Sequence, residues 1–404
     1  MSKIKAIVST TFSYETQEET LDIRVKGGGM TIGITKEIAF QENRVSLTPD
    51  AVAVLVNNGH SVIVEHNAGD AAHYRDADYS EAGAKIVYTR EDVFKAPILV
   101  KSAPVIEEDL PLLQYGQIII SPLHLSVLKR EVLKAMMLKK ITALSFEHLK
   151  DDSDSYPIVR SMSEIAGSAV MLIAAQYLGS ANHGKGVLLG GITGIAPTKV
   201  IIIGAGIVGE YAARAALAMG ASVKLFDSNI SRLKRLENAI GHRLWTSVLE
   251  PKLLAKQLKT CEVAVGALAN ETGRTPLVVT EEMVSGMRQG SVIIDATIDR
   301  GGCFETSEVT SHESPIFLKY GVIHYCVPNI PSGFARTASQ AISNVLTPLL
   351  VEAGDEGGIE KLVWHQLHLR NGIYLFKGHL TNFYLSQRFD LKYTDLNLLI
   401  ASQR

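Results

Sequence analysis

The sequence predicts an α/β protein built from two doubly wound parallel sheets, the second unit inserted into a discontinuous first. Three observations carry that expectation. Residues 30–146 alternate short apolar strands with amphipathic helical stretches, the pattern of parallel βαβ units. Residues 199–227, KVIIIGAGIVGEYAARAALAMGASVKLFD, form a strand, a glycine turn, an alanine-rich helix and a second strand. Two long apolar helical patterns, 162–179 and 339–352, flank that segment and read as paired crossings between the units. At 404 residues the chain exceeds one ordinary core, so two units are the natural division.

Each element follows from local signals. Residues 1–29 read as an extension: 15–20 are polar and mostly acidic, and three glycines at 27–29 break the chain. A solvated arm or an oligomer contact is the expectation there. A strand comes next at 31–35, and Thr48-Pro49-Asp50 opens a helix with a capping threonine and a proline at its first position. Further strands are expected at 61–65, 85–88, 98–101, 117–121 and 141–146. The 162–179 helix lacks a polar face, so it is expected to be buried. Residues 186–195, GVLLGGITGI, read as a glycine-turned hairpin ahead of the strand at 199. Strands at 262–268, 291–298 and 322–327 continue the second unit, and Pro348 is expected to kink the helix over 339–352. The segment from there to Arg404 has too few strands for a third unit. The expected division is 1–158 with 334–404 for the first unit and 159–333 for the second.

Composition narrows the function. Lys and Arg number 40 against 42 Asp and Glu, a net charge of −2, which leaves no polyanion-binding stripe and argues against nucleic acid. Cys261, Cys303 and Cys326 are scattered, without a CxxC pair or histidines at ligand spacing. That pattern suits a reducing compartment and gives no sign of a metal site. His365 and His368 are three apart but lack companion ligands, and no GxSxG motif supports a serine nucleophile. No apolar run long enough for a bilayer and no signal peptide are apparent, so a cytoplasmic protein without a membrane partner is expected.

The 199–227 segment points to a dinucleotide. Gly204 permits the tight turn, Gly206 lets backbone approach a pyrophosphate, and Gly209 lets the helix pack on the sheet. The helix N-terminus adds free N–H groups and partial positive charge. Asp227 ends the second strand, placed to accept hydrogen bonds from an adenosine ribose and to repel a 2′-phosphate. NAD is therefore expected over NADP, with Arg232 close enough in sequence to bear on that preference.

A hydride-transfer enzyme must also hold a substrate and manage a proton, outside the carboxyl ends of its strands. Arg44, in FQENRVSLTPD between the first strand and first helix, could grip a carboxylate bidentately or simply pair with Glu42. Lys101 closes an apolar run and could polarise a carbonyl, bind a carboxylate or snorkel to water. His124, in GQIIISPLHL, could exchange protons near neutral pH or sit satisfied in the core. Asp299, in VIIDATIDRGGCFE, could steer an ammonium, hold a catalytic histidine or cap its loop.

With these residues collected, the chain resembles the family of alanine dehydrogenases and the NAD-binding component of proton-translocating transhydrogenase. The resemblance runs from about Met30 almost to the C-terminus. It rests on TIGITKEIAFQENRVSLTP, ILVKSAP, GQIIISPLHL, RSMSEIAG, GVLLGGITG, the glycine fingerprint, IDRGGCFETS and HYCVPNIP, in that order. It implies NAD-dependent oxidative deamination of L-alanine to pyruvate and ammonium, with hexamers usual. It also implies that Arg44 and Lys101 bind the substrate and that His124 and Asp299 are catalytic. Ser163 would contact the cofactor, and Asn329 would lie near the nicotinamide. Two alternatives are an NAD(H)-binding subunit serving a membrane-embedded partner and an opine- or saccharopine-type amino-acid dehydrogenase. Many members read KVKEP where this chain reads VKSAP; aligned on the proline, Ser102 takes the place of the second lysine. The N-terminal extension is longer than the shortest members carry.

Overall fold

A computed structural model describes residues 29–39, 41–125, 127–268 and 273–402. Apart from Gly29, the extension expected at 1–29 lies outside them. The first sheet comprises β1 (Thr31–Ile34), β2 (Ser61–Glu65), β3 (Lys85–Val87), β4 (Ile98–Val100), β5 (Ile118–Ser121) and β6 (Thr142–Ser145). These pair in the order β3-β2-β1-β4-β5-β6, all parallel. The second contains β7 (Lys199–Ile203), β8 (Ser222–Phe226), β9 (Trp245–Ser247), β10 (Val263–Gly266), β11 (Val292–Asp295), β12 (Ile316–Lys319) and β13 (Val322–Tyr325). Its order is β9-β8-β7-β10-β11-β13-β12, parallel except for β12. The chain then returns, and β14 (Ile373–Phe376) and β15 (His379–Leu380) add antiparallel to the β6 edge of the first sheet. The fold is α/β with two mostly parallel sheets, as the alternation predicts.

This topology fixes where a ligand can sit. Strand order reverses between β1 and β4 in one sheet and between β7 and β10 in the other. At such a reversal neighbouring connections leave to opposite faces, which opens a crevice beyond the carboxyl ends. Arg44, Lys101, His124, the glycine turn, Asp299 and Asn329 all lie on segments that follow carboxyl ends of strands.

The crossings are two long helices, Pro157–Leu178 and Ala335–Asp355. The first packs Ala166, Gly167, Val170 and Ala174 inward, against the Ile207–Ala218 helix. A Cβ at Gly167 would stand 2.5 Å from the Val208 carbonyl oxygen, so glycine sets the closeness of that crossing. The expectation of burial all round needs correction. Leu172 is 50% exposed, because only one face meets the second sheet's layer. By length and composition this helix is apolar enough to span a membrane, against the expectation that no such stretch exists; its inner face is packed as a core helix. Pro348 lies inside the second crossing, which runs on as helix to Asp355.

Other differences have local causes. Residues 186–195 form no hairpin of strands, only an isolated bridge between Ile192 and Ile195. Gly191 and Gly194, both at positive φ, turn the chain too tightly for a ladder to extend. The strand β14 is a run of four buried apolar residues, which periodicity cannot distinguish from a piece of buried helix. At sheet edges, β9 and β12 carry mixed burial and no alternation strong enough to read.

The second core holds a fully buried histidine. His324 on β13 donates from Nδ1 to the Val322 carbonyl at 3.0 Å and accepts the Thr306 hydroxyl at Nε2, 2.8 Å away. Its ring stacks on Phe317. Burial pushes its pKa below the ordinary 6.5. The neutral ring therefore contributes stability that is present above the unfolded value and lost as pH falls through the depressed folded value. The gap in urea midpoint between the parent protein and His324→Gln should accordingly shrink as pH is lowered from about 7.5 to 5.5. A gap that widens on acidification would contradict this reading.

Candidate active site

The segment after β1 is held against the second crossing helix by hydroxyls. The N–H of Asn43 donates to Ser332 Oγ at 2.8 Å, that of Val45 to Ser339 Oγ at 2.9 Å, and that of Thr48 to Ser343 Oγ at 2.8 Å. Ser332, Ser339 and Ser343 are buried. A loop with no ladder of its own thus satisfies its backbone donors, which would otherwise be costly to bury. Gln41 ties the same loop to the second unit, with Nε2 on the Thr310 carbonyl and Oε1 accepting the His312 N–H.

Arg44 projects from this loop with 6% of its surface exposed. Its Nε donates to Glu42 Oε1 at 2.7 Å and its Nη2 to Glu42 Oε2. Among the described residues Nη1 meets only the Met162 sulfur, at 3.4 Å. Burial opposes the charge, but Glu42, Glu147 and Glu37 outweigh it and hold the guanidinium above its ordinary pKa. Across the cleft Asn329 Nδ2 donates to Glu42 Oε2 at 3.1 Å, and the Asn329 N–H donates to the Asp299 carboxylate at 3.2 Å. Asn329 takes the left-handed conformation, φ 54°, which asparagine tolerates better than most residues. Burial in the cleft raises the Asp299 carboxyl above its ordinary value, while the Asn329 N–H, His124, Arg300 and Arg44 pull it back. Arg44, Glu42, Asn329 and Asp299 therefore form one continuous polar chain spanning both units.

His124 follows β5 at φ 40°, a conformation uncommon outside glycine. Glu147, just beyond β6, holds it there. Glu147 Oε2 accepts the N–H groups of Leu123 at 2.9 Å and His124 at 3.2 Å, and its Oε1 stands 3.5 Å from His124 Nε2. The imidazole is 38% exposed, open to a ligand in the cleft. The carboxylate beside this accessible imidazole fixes its orientation.

Lys101 departs from expectation. It is 1% exposed, and its Nζ bonds to Glu37 at 2.9 Å and to Thr35 Oγ1 at 3.3 Å, with Asp109 at 3.4 Å. Arg90 continues the network to Asp109 and Glu65. An ammonium shared among buried carboxylates is not a free substrate ligand, and withdrawing it would leave Glu37 and Asp109 uncompensated. Ser102 is equally enclosed: its Oγ donates to the Arg44 carbonyl at 2.6 Å and its N–H to Glu37. Lys101 and Ser102 thus brace the Arg44 loop from below.

The glycine turn differs at each position. A Cβ on Gly204, at φ 120°, would meet the Ala267 carbonyl oxygen at 2.3 Å, and one on Gly209 would meet the Gly204 oxygen at 1.9 Å. Gly206 begins the Ile207–Ala218 helix with ordinary φ, and a Cβ there would find no protein atom nearer than 3.9 Å. Packing explains the first and third glycines but not the second, which leaves open space at a helix N-terminus, where backbone N–H groups could receive a pyrophosphate. Asp227 is buried at the end of β8, accepting the Ala205 and Asn229 N–H groups, each at 2.7 Å. Arg232 lies in the first turn of the next helix, Ile230–Ile240. The Ser163 hydroxyl, on the first crossing helix, donates to the Val159 carbonyl.

Residues 33–166 match the family description "Alanine dehydrogenase/PNT, N-terminal domain", and residues 169–383 match "Alanine dehydrogenase/PNT, C-terminal domain". The chain belongs to the alanine dehydrogenase/PNT family, and it is an oxidoreductase. It is 36% identical over 365 residues to "Alanine dehydrogenase 2" of Staphylococcus aureus (strain USA300), covering 90% of this chain and 98% of that one. A solved L-alanine dehydrogenase superposes with a TM-score of 0.83 at 36% identity, over 89% of this chain and 99% of the other. A transhydrogenase from Sinorhizobium meliloti, 21% identical with a TM-score of 0.74, covers 88% and 99% and shares the fold.

Two residues of this family site escape sequence reasoning. Glu42 reads there as a surface partner of Arg44, and Glu147 carries no motif of its own. The ENR spacing gives the Glu42–Arg44 pairing but not its burial, which follows only from how the loop is packed against Ser332, Ser339 and Ser343. Glu147 becomes visible only when β5 and β6 lie side by side, in the register Ser121 to Ser145. The glycine turn supplies a test. Gly209→Ala should lower the melting temperature and abolish dinucleotide binding, because backbone would have to move. Gly206→Ala should leave melting nearly unchanged yet weaken NADH binding at least about tenfold, read by fluorescence titration. Undiminished NADH affinity in Gly206→Ala would remove the pyrophosphate from this position.

Proposed function

We propose that this chain catalyses the reversible NAD-dependent oxidative deamination of L-alanine to pyruvate and ammonium. The observation that carries the reading is the convergence of a buried guanidinium, an open imidazole and a cleft carboxyl. The charges of Arg44 and His124 both reach the Asp299 carboxyl. The 36% identity to a relative named alanine dehydrogenase, over nearly its whole length, favours this substrate.

The dinucleotide would lie on Gly204, Gly206 and Gly209, its adenosine ribose on Asp227 beside Arg232, with Ser163 and Asn329 toward the nicotinamide end. When bound, it supplies the hydride acceptor of the oxidative direction. The chain's own residues do the rest. Arg44 fixes the substrate carboxylate and so aims Cα–H. His124 takes up the proton released as water adds to the iminium carbon, and Glu147 stabilises the imidazolium that results. Asp299 faces the positive charge of the substrate nitrogen. The proton held at His124 passes to the departing amine, giving ammonium and pyruvate.

The dinucleotide unit is assigned to residues 159–333 and the substrate unit to 1–158 with 334–404. Family resemblance further suggests a cytoplasmic homohexamer, and the exposed Leu172, Leu188, Ile192 and Ile195 suit contact with another subunit. A transhydrogenase-type subunit would have no use for the His124–Glu147 pair beside Arg44. An opine- or saccharopine-type activity would consume a second amine in place of ammonium.

The test is absorbance at 340 nm with NADH, pyruvate and ammonium; oxidation should require all three. NADPH should serve far less well, given the carboxylate at Asp227, and equal use of both would remove Asp227 from cofactor selection. His124→Ala should lower turnover by about 10²–10⁴-fold with NADH binding retained. Arg44→Lys keeps the charge but loses the fork, so it should chiefly raise the KM for pyruvate. Near-normal amination in His124→Ala would exclude the imidazole from the chemistry.

A further inference from the structure

Arginine carries five N–H donors on two usable edges, one formed by Nε with Nη2 and the other by the two terminal nitrogens. Glu42 occupies the first edge entirely, through Nε and Nη2. Of the remaining three donors, one on Nη1 reaches the Met162 thioether at 3.4 Å, a weak acceptor. That leaves one hydrogen on each terminal nitrogen without a partner among the described residues. Arg44 is nevertheless 94% enclosed, being 6% exposed. Buried charged donors are seldom left idle, and two adjacent ones on a planar fork match a carboxylate.

Glu42 is itself held. Its side chain is 3% exposed, Oε1 also accepts the Arg44 backbone N–H at 3.0 Å, and Oε2 accepts Asn329 Nδ2 at 3.1 Å. It can neither rotate out to solvent nor follow a moving guanidinium without breaking bonds on both sides of the cleft. Resting on the alanine reading above, we propose that Glu42 is a positioning residue of the substrate site. It clamps the side edge of Arg44 and thereby presents the end edge, Nη1 with Nη2, as the docking face for the substrate carboxylate. Its bond to Asn329 sets that face at a fixed distance from the loop that carries Asp299. The clamp acts on ground-state placement of the substrate, and no proton passes through it.

The experiment uses the full chain with Glu42→Gln, which preserves shape but turns one oxygen into a donor facing Arg44 or Asn329. Pyruvate KM, and the inhibition constant of oxamate as an unreactive carboxylate, should both rise about tenfold or more, with kcat within about threefold. NADH affinity should stay near the parent value, while the melting temperature should fall, because the buried guanidinium loses its paired charge. In an Arg44→Lys background, which has no edge to clamp, the same change should add less than about twofold. Unchanged pyruvate KM and oxamate inhibition would overturn the proposal. So would a fall in kcat at constant KM, a matching loss of NADH affinity, or full additivity with Arg44→Lys. If the parent protein fails to aminate pyruvate at all, the alanine reading falls and takes this inference with it. Turnover by the parent alongside an unaltered Glu42→Gln variant removes the inference alone.

Discussion

Everything at the cleft depends on one constraint: a buried arginine on an irregular loop must be held still. A guanidinium removed from water loses several kcal/mol of hydration unless carboxylates and fixed dipoles replace it. Glu42 supplies the charge, and Ser332, Ser339 and Ser343 secure the backbone on either side. Because those serines belong to the second crossing helix and its lead-in turn, the loop's position is set by the element that returns the chain from the second sheet to the first. Insertion of one unit within the other is thus part of how the site is built.

Below the loop lies a second layer of charge. Lys101, Glu37, Asp109, Arg90 and Glu65 form a buried network in which burial raises the pKa of both glutamates. Such networks cost desolvation and rarely add net stability, but they penalise any displacement that breaks a pair. The N–H of Ser102 and the ammonium of Lys101 share Glu37, so the strand end after β4 and the loop after β1 move as one piece. A rigid floor under Arg44 is the consequence.

The sequence was legible where local rules and fold agree. The β1–β6 alternation, the glycine turn and Asp227 at a strand end each depend on neighbours within about thirty residues of chain. Illegible features depend on pairing across the fold. The edge strand β14 gains its identity only by lying on β6, more than two hundred residues away in sequence. Lys101 illustrates the same limit within the site. Its place at a strand end is correctly read, but the direction of its ammonium is decided by Glu37 and Asp109 on other loops. Glu147 is a plain glutamate until β5 and β6 pair. In the 186–195 run, glycines correctly mark turns, yet their number prevents the hairpin they suggest.

If the cleft works as proposed, Arg44 and His124 face one small pocket beside a dinucleotide. A crystal structure of the complex with NADH and oxamate would decide the matter. The oxamate carboxylate should lie on the terminal nitrogens of Arg44, with His124 and Asp299 within hydrogen-bond reach of its other end and the ribose on Asp227. Oxamate bound elsewhere, or Arg44 and His124 turned away from a common ligand, would refute that arrangement.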